Sequence, residues 1–351
     1  MTCVCNLVKQ FAGGLAELVA KYPVIGVPTL ALLFAGVFRV TTLALSYFTA
    51  VAELLILPAS SLKKYGAGSK KAWAIVTGAS DGIGREYTLQ LAKKGFNIGL
   101  VSRTESKLVK LKEEIESKYK VQVRYLAFDA SSDVPANYSA LDAFAKSLGD
   151  VTVLINNVGQ SHSMPVPFLE TEEKELRDII TINNVATLKF TQIVTPYIID
   201  SRKRGIAKRG LILTMGSFAG LTPTPLLATY SGSKAFLQAW NNALAQELAP
   251  QGVDAQIVLS YLVVSAMSKV RRTSMLIPNP KQFVYASLAC VGRRGGAQDR
   301  YATSTPYWSH GLYHWLIENT FGVFSGFVAG INYKMHLDIR RRALRKLEKQ
   351  K

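Results

Sequence analysis

Cysteine is nearly absent from the 351 residues: Cys3, Cys5 and Cys290 are the whole supply. An odd number, with two crowded at one end, builds no disulfide framework and offers no metal-ligand spacing. The body of the chain is therefore expected to face a reducing compartment and to need no metal. Acidic residues are also scarce, with 24 Asp and Glu against 42 Lys and Arg and a formal net charge of +18. Partners for such a surplus are anionic: nucleic acid, a lipid surface or a phosphate-bearing substrate. Charged residues of both signs reach only 19%, below the soluble average of about 25%, so some segment must be strongly apolar. Disorder is excluded, because 48% hydrophobic residues can offset the chain entropy of folding.

The apolar segment runs from Val24 to Leu57 and is interrupted only by Arg39 and Glu53. It is long enough to cross a hydrocarbon core of about 30 Å. A signal peptide would be shorter and would end at a small-residue cleavage site. Arg39 leaves open whether the segment spans once or dips twice. Lys63, Lys64, Lys70 and Lys71 follow at once, which places that side in the cytosol. A weaker apolar stretch, Trp308 to Ile331, carries His310, His314 and Glu318 and reads as an interfacial or re-entrant helix pair. Behind it Lys334, Arg340, Arg341, Arg342, Arg345, Lys346, Lys349 and Lys351 form a basic tail, expected to lie on anionic lipid. A nucleic-acid role is not expected of a tail with so ordinary a lipid partner. The chain thus divides into an anchor and linker (1–70), a central domain (71–300) and an amphipathic, membrane-associated extension (301–351).

Lys71 to Thr77 is a short β-branched run that reads as a buried strand. It breaks into Gly78-Ala-Ser80-Asp-Gly82-Ile83-Gly84 and a helical stretch through Lys94, then a second strand from Phe96 to Ser102. Strand, glycine turn, helix, strand is the unit that holds a dinucleotide pyrophosphate on a helix N-terminus. An acidic residue at the end of the second strand would bind a ribose 2′-hydroxyl. Here Ser102-Arg103-Thr104 stands instead, and Arg103 can pair with a 2′-phosphate, which favours NADPH. Further strands are expected at 121–128, 151–155, 210–215 and 254–259, alternating with helices as in a doubly wound parallel α/β sheet. Asp129 ends the third and could receive an adenine amino group, and Asn156-Asn157-Val158-Gly159 ends the fourth.

Ser217 follows the fifth strand, and Tyr230 and Lys234 lie four apart on one helical face. A phenol titrates near 10; an adjacent ammonium is expected to bring it toward neutrality, so that it can exchange a proton with a substrate oxygen. Ser217 would hydrogen-bond the same oxygen. The set resembles the short-chain dehydrogenase/reductase family over about residues 71–300, which implies a Rossmann fold and catalysis by Ser217, Tyr230 and Lys234. The resemblance also implies an asparagine that holds a proton-relay water. Asn183 and Asn184 both offer themselves, and the spacing to Thr191-Gln192 points to Asn183. The family's usual Pro-Gly after the sixth strand is Ser260-Tyr261 here, and the loop behind it is expected to reach the nicotinamide through Val263 and Ser265.

Three runs, 159–184, 211–236 and 300–317, resemble more narrowly the fungal very-long-chain 3-oxoacyl-CoA reductases. That likeness implies a membrane-bound enzyme of the endoplasmic reticulum that takes long-chain acyl-CoA and works beside the condensing enzyme, dehydratase and enoyl reductase of fatty acid elongation. Residence there rests on the resemblance, because Lys349-Gln350-Lys351 is not a full dilysine signal. A steroid or retinoid dehydrogenase would carry the same catalytic set but no need for phosphate-binding cations. An inactive membrane scaffold would be expected to have lost one of Ser217, Tyr230 or Lys234.

Overall fold

Residues 2–349 are described by a computed structural model; Gln350 and Lys351, at the end of the basic tail, lie outside the described residues. The chain falls into two compact units, one ending at Thr49 and one beginning at Ala50. In the first, α1 (Thr2–Lys21) precedes α2 (Pro23–Val51). Gly26 permits their close approach, since a Cβ there would lie 2.4 Å from the Val19 Cα. Helix α2 continues into a π-helical turn, Ala52–Ile56. Pro23–Ile56 is the one helix among the described residues long and apolar enough to cross a membrane.

Glu53, a cost inside a bilayer, belongs to the second unit. Its carboxylate accepts from the backbone N–H of Arg294 (3.1 Å) and Gly295 (2.7 Å) and from the Gln298 amide (3.1 Å). Leu54 beside it fills the space over Gly311, where a Cβ would come within 2.7 Å of its methyl. The chain then runs through a 3-10 turn, Leu62–Tyr65, in which Tyr65 is fully buried.

Seven parallel strands form one sheet in the order β3-β2-β1-β4-β5-β6-β7. They are β1 (Trp73–Thr77), β2 (Asn97–Ser102), β3 (Val123–Ala127), β4 (Val151–Asn156), β5 (Gly210–Met215), β6 (Val253–Val258) and β7 (Thr303–Ser304). Four central strands, β1, β2, β4 and β5, are buried along nearly their whole length, as continuous apolar runs covered on both faces require. On one face α3 (Gly82–Lys93), α4 (Glu105–Lys118) and α10 (Pro280–Ala289) bury Tyr87, Leu108 and Phe283. On the other, α5 (Pro135–Leu148) and α7 (Ala186–Lys203) bury Leu141, Phe190 and Ile198. Between β4 and α7 lie α6 (Glu173–Ile180) and a π-helical turn, Thr181–Val185. The order reverses at β1, with β2 on one side and β4 on the other, which opens a crevice at the carboxyl ends of the strands.

A third buried cluster joins α8 (Phe218–Leu221) and α9 (Ala228–Leu248) to α11 (Trp308–Asn319) and α12 (Gly326–Glu348) through Phe218, Leu237, Ile317 and Val328. Helix α11 turns Ser309, His310 and His314 inward, so the polar residues that make this stretch a poor membrane span are those that pack it against the body. Phe321, Phe324 and Phe327, between and at the start of the two helices, stay exposed.

Asp254 at the edge of β6 ties the segment behind α2 to the sheet. It accepts from the Tyr65 hydroxyl (2.6 Å), the Lys64 ammonium (3.2 Å) and both the Nε (2.8 Å) and Nη2 (2.6 Å) of Arg209. Burial pushes its carboxyl upward, but the hydrogen bonds of Arg209 and Tyr65 and the nearby charges outweigh that, so it titrates below its usual range. A carboxyl lowered in the folded state stabilises fully above its unfolded pKa and loses that contribution as pH falls through the folded one. Asp254→Ala should cost about 1–3 kcal/mol at pH 7 and flatten the acid limb of a Tm-against-pH curve. An unchanged acid limb would show that this cluster does not govern it.

Candidate active site

Strand β1 ends at Thr77 and the chain turns through Gly78, whose φ of +64° lies in the left-handed region where glycine is strain-free. Gly84 sits where helix and turn touch: a Cβ there would lie 2.1 Å from the Gly78 carbonyl oxygen and 2.4 Å from the Asn157 amide. That amide donates to the carbonyls of Thr77 (3.0 Å) and Gly78 (3.2 Å) and holds the turn to β4. Asn156 departs from expectation. It is buried, its amide donates to Thr191 Oγ1 (2.8 Å), and it is Asn157 that lines the crevice. In a strand, adjacent side chains point to opposite faces, so only one of the two asparagines can face the site.

The crevice, about 470 Å³, passes Gly78, Ser80, Gly82 and Ile83, then Arg103 and Lys107 beyond β2, and Asp129 beyond β3. Ser80 and Ser102 share a hydrogen bond of 2.7 Å across its floor. Two carboxylates line it. Asp81 caps α3 by accepting from the Gly82 N–H (2.7 Å). Asp129 feels burial most, but the Ser131 hydrogen bonds and the charge of Arg103 outweigh it and lower its pKa. Neither stands at the end of β2. Amides at a helix N-terminus, a glycine contact with no room for a Cβ and a cation beside β2 fit a dinucleotide carrying a 2′-phosphate. Gly82 borders the loop after β6, where a Cβ would lie 3.7 Å from Ser265. Val263 instead faces a second, apolar chamber.

Ser217 caps α8, its hydroxyl accepting from the Ala219 N–H (3.1 Å), and also hydrogen-bonds the Tyr230 phenol. Gly220 brings α8 onto α9, since a Cβ there would lie 2.6 Å from the Lys234 backbone carbon. Lys234 is buried, and its ammonium donates to the Met215 carbonyl (2.9 Å) at the end of β5. Burial pulls its pKa down to about 8. The Tyr230 phenol is pushed up by burial and drawn part of the way back by Ser217. The expected lowering by Lys234 is not what this arrangement produces: the Nζ lies 5.9 Å from the ring centre and is directed at Met215.

The π-helical turn places the two asparagines differently. Asn184 donates to the Ser233 carbonyl (2.9 Å) and pins α9. Asn183 donates to the Gln160 carbonyl (2.9 Å) and Ser233 Oγ (2.9 Å) and accepts from the Gln160 N–H (2.7 Å). The point where Gly159 would carry a Cβ is 3.3 Å from Asn183 Oδ1 and 3.6 Å from Lys234 Nζ. Asn183, Gly159 and Lys234 therefore enclose a gap that a polar atom could bridge.

The apolar chamber, about 270 Å³, meets the crevice at Ile83, Tyr230, Ser260, Ser265 and Met267. Tyr230 thus stands at the junction of a polar and an apolar space. Sequence reasoning missed the residue that holds the loop between them. His310 accepts from the Tyr261 N–H at Nδ1 (3.3 Å) and donates from Nε2 to the Leu276 carbonyl (3.0 Å). It clasps both ends of residues 261–276, and Ser309 adds a bond to the Met275 carbonyl (2.8 Å). The loop that opens with Ser260-Tyr261 in place of the usual Pro-Gly is thus anchored at Tyr261 by a histidine acceptor. The available signal was two histidines four apart in an aromatic helix, one face of which had to be internal.

Residues 72–275 match the family described as short chain dehydrogenase. The very-long-chain 3-oxoacyl-CoA reductase of Lodderomyces elongisporus is 62% identical over 91% of this chain and 92% of its own. The protein of the same name from Yarrowia lipolytica is 55% identical over 99% of this chain and 90% of its own. Among solved structures, a short-chain dehydrogenase from Sphingobium yanoikuyae in complex with NADPH shares the fold, with a TM-score of 0.57 at 24% identity over 71% of this chain and 96% of that one.

The His310 clasp needs a neutral ring, because Nδ1 accepts while Nε2 donates, and burial pulls its pKa down to about 4. His310→Ala should leave the sheet folded but speed proteolytic cleavage within 261–276 by about tenfold or more, as expected when roughly 1.5 kcal/mol of local hydrogen bonding is lost. Cleavage at the parent rate would show that the loop is held by something else.

Proposed function

The chain belongs to the short-chain dehydrogenase family, and on that premise we propose that it reduces very-long-chain 3-oxoacyl-CoA to 3-hydroxyacyl-CoA with NADPH, the first reduction of microsomal fatty acid elongation. The observation that carries the reading is the position of Tyr230 between a dinucleotide crevice and an apolar chamber. Relatives of that name, 55–62% identical over at least nine-tenths of the chain, support the substrate class.

Bound NADPH supplies a hydride to the C3 carbonyl carbon. The protein manages the oxygen. Charge grows there as the carbonyl is reduced; Tyr230 delivers a proton to it and Ser217 donates a hydrogen bond. Lys234, whose pKa burial lowers to about 8, lines the crevice and would meet the ribose hydroxyls of the bound cofactor there. Asn183 faces Lys234 across the gap at Gly159 and holds the water through which the proton is replaced. Arg103 and Lys107 receive the 2′-phosphate, Asp129 the adenine, and Gly78, Ser80, Gly82, Ile83 and Gly84 form the pyrophosphate turn, with Asn157 rather than Asn156 steadying it.

We assign the protein to the endoplasmic reticulum membrane, held by α2, with its catalytic body in the cytosol on the side of Lys63, Lys64, Lys70 and Lys71. The exposed phenylalanines near α12 and the basic tail suit contact with anionic lipid. The condensing enzyme, dehydratase and enoyl reductase that handle the preceding and following intermediates are the proposed neighbours.

NADPH oxidation by the purified full chain, with long-chain 3-oxoacyl-CoA against a ketosteroid, is the direct test, and only the former should be turned over efficiently. Tyr230→Phe should lose about 10²–10⁴-fold in kcat while still binding NADPH; near-normal turnover would mean another proton donor. Gly159→Ala probes the relay separately. Its φ is ordinary, and the added methyl would lie 3.3 Å from Asn183 Oδ1, which must give by a few tenths of an ångström, and 3.6 Å from Lys234 Nζ, so Tm should change little while kcat falls about 10²-fold, the lower end for proton-transfer groups. Full activity in that variant would remove the gap from the mechanism.

A further inference from the structure

The apolar chamber has a wall outside the part of the chain that matches the family, which ends at residue 275. That wall is α12. Val328, Asn332, Met335, His336, Ile339 and Ala343 line the chamber, and they recur every three or four positions, as one face of a helix does. From Val328 to Ala343 the face extends about 22 Å at 1.5 Å per residue.

Helix α12 is fixed across the loops beyond three adjacent strands. Asn332 donates to Thr222 Oγ1 (3.1 Å) and the Pro223 carbonyl (3.0 Å) after β5. Met335 Sδ accepts from the Tyr261 hydroxyl (3.3 Å) after β6. Arg340 donates to the Pro165 carbonyl (2.9 Å) and pairs with Glu170 (2.7 Å) after β4. Polar groups of the helix are thus engaged at its margins, while Val328, Met335, Ile339 and Ala343 give the chamber an apolar side. Arg341, Arg342 and Arg345 lie on the exposed side.

We propose that this face of α12 is the subsite for the hydrocarbon tail of the substrate, and that side-chain bulk at Ile339 and Ala343 sets the chain length accepted. The proposal rests on the reading of the substrate as a 3-oxoacyl-CoA. A tail has no polar atoms to recognise, so only the length and bulk of an apolar wall can discriminate, and each buried methylene is worth about fourfold in affinity.

The test measures kcat/KM of the full chain for 3-oxoacyl-CoA of medium and very long chain, with NADPH binding followed by fluorescence. Ile339→Trp and Ala343→Trp should lower the long-to-medium ratio by about tenfold or more, the effect of excluding two methylenes, with NADPH affinity unchanged. Ile339→Ala should move the ratio the other way and serves if a tryptophan variant fails to fold. Arg341→Trp, on the exposed side, should leave the ratio as it is. Variants that lose all chain lengths equally, or keep the parent ratio, would overturn the subsite alone. A parent that binds NADPH but reduces no 3-oxoacyl-CoA would overturn the reaction assigned above and the subsite with it.

Discussion

A buried amine cannot be left without partners, and the burial of Lys234 organises everything around it. Its ammonium needs an acceptor, which the carbonyl of Met215 supplies from the end of β5. The bond fixes α9 against the sheet and thereby fixes the height of Tyr230, one helical turn away on the same face. Close approach on the other sides follows from two glycines: Gly220 admits α8 with Ser217, and Gly159 leaves the gap to Asn183. The end of β5 and the gap between Gly159 and Asn183 meet the amine itself, while α8 packs on the Lys234 backbone, where a methyl at Gly220 would not fit.

Much of this could be read from residue types. The first six strands fall within about two residues of their apolar runs; for β1, β2, β4 and β5 the reason is that a strand buried on both faces has a nearly continuous signal. The glycine turn, Ser217, Tyr230 and Lys234 were visible since chemistry restricts those positions to few residue types. Strand β7 was not, being only two residues long and made by pairing to β6 rather than by local preference. The exchange of Asn156 for Asn157 is a matter of which side of a strand end faces the crevice, and adjacent identical residues carry no such information. The role of His310 is hidden for a related reason. Composition marks α11 as aromatic and apolar but carries no sign that His310 and Ser309 bond backbone groups of the loop after β6.

Glu53, near the end of the long apolar helix, is a similar case. A charge in a long apolar run reads as an interruption of a span, but this one accepts three hydrogen bonds from residues 294–298. Beyond it the chain is not slack. Ser60 donates to the Ala289 carbonyl (2.8 Å), and Arg209 donates its N–H to the Lys64 carbonyl (2.9 Å). The carboxylate therefore marks where the long apolar helix ends and the second compact unit takes up the chain.

The same division of labour separates chemistry from selectivity. Ser217, Tyr230, Lys234 and Asn183 sit on elements held by the sheet, where positions are fixed by strand ends and close helix contacts. The apolar chamber beside Tyr230 is closed by α11 and α12, which pack against the body through the Phe218 cluster and through bonds to loops beyond the strands. A change of side-chain volume on α12 alters the chamber and leaves the crevice walls around Lys234 and Met215 in place, because α12 lines the former and not the latter. A fold built this way can keep one proton-transfer apparatus and vary what it is offered, and the physical reason is that the two are bonded to different parts of the molecule.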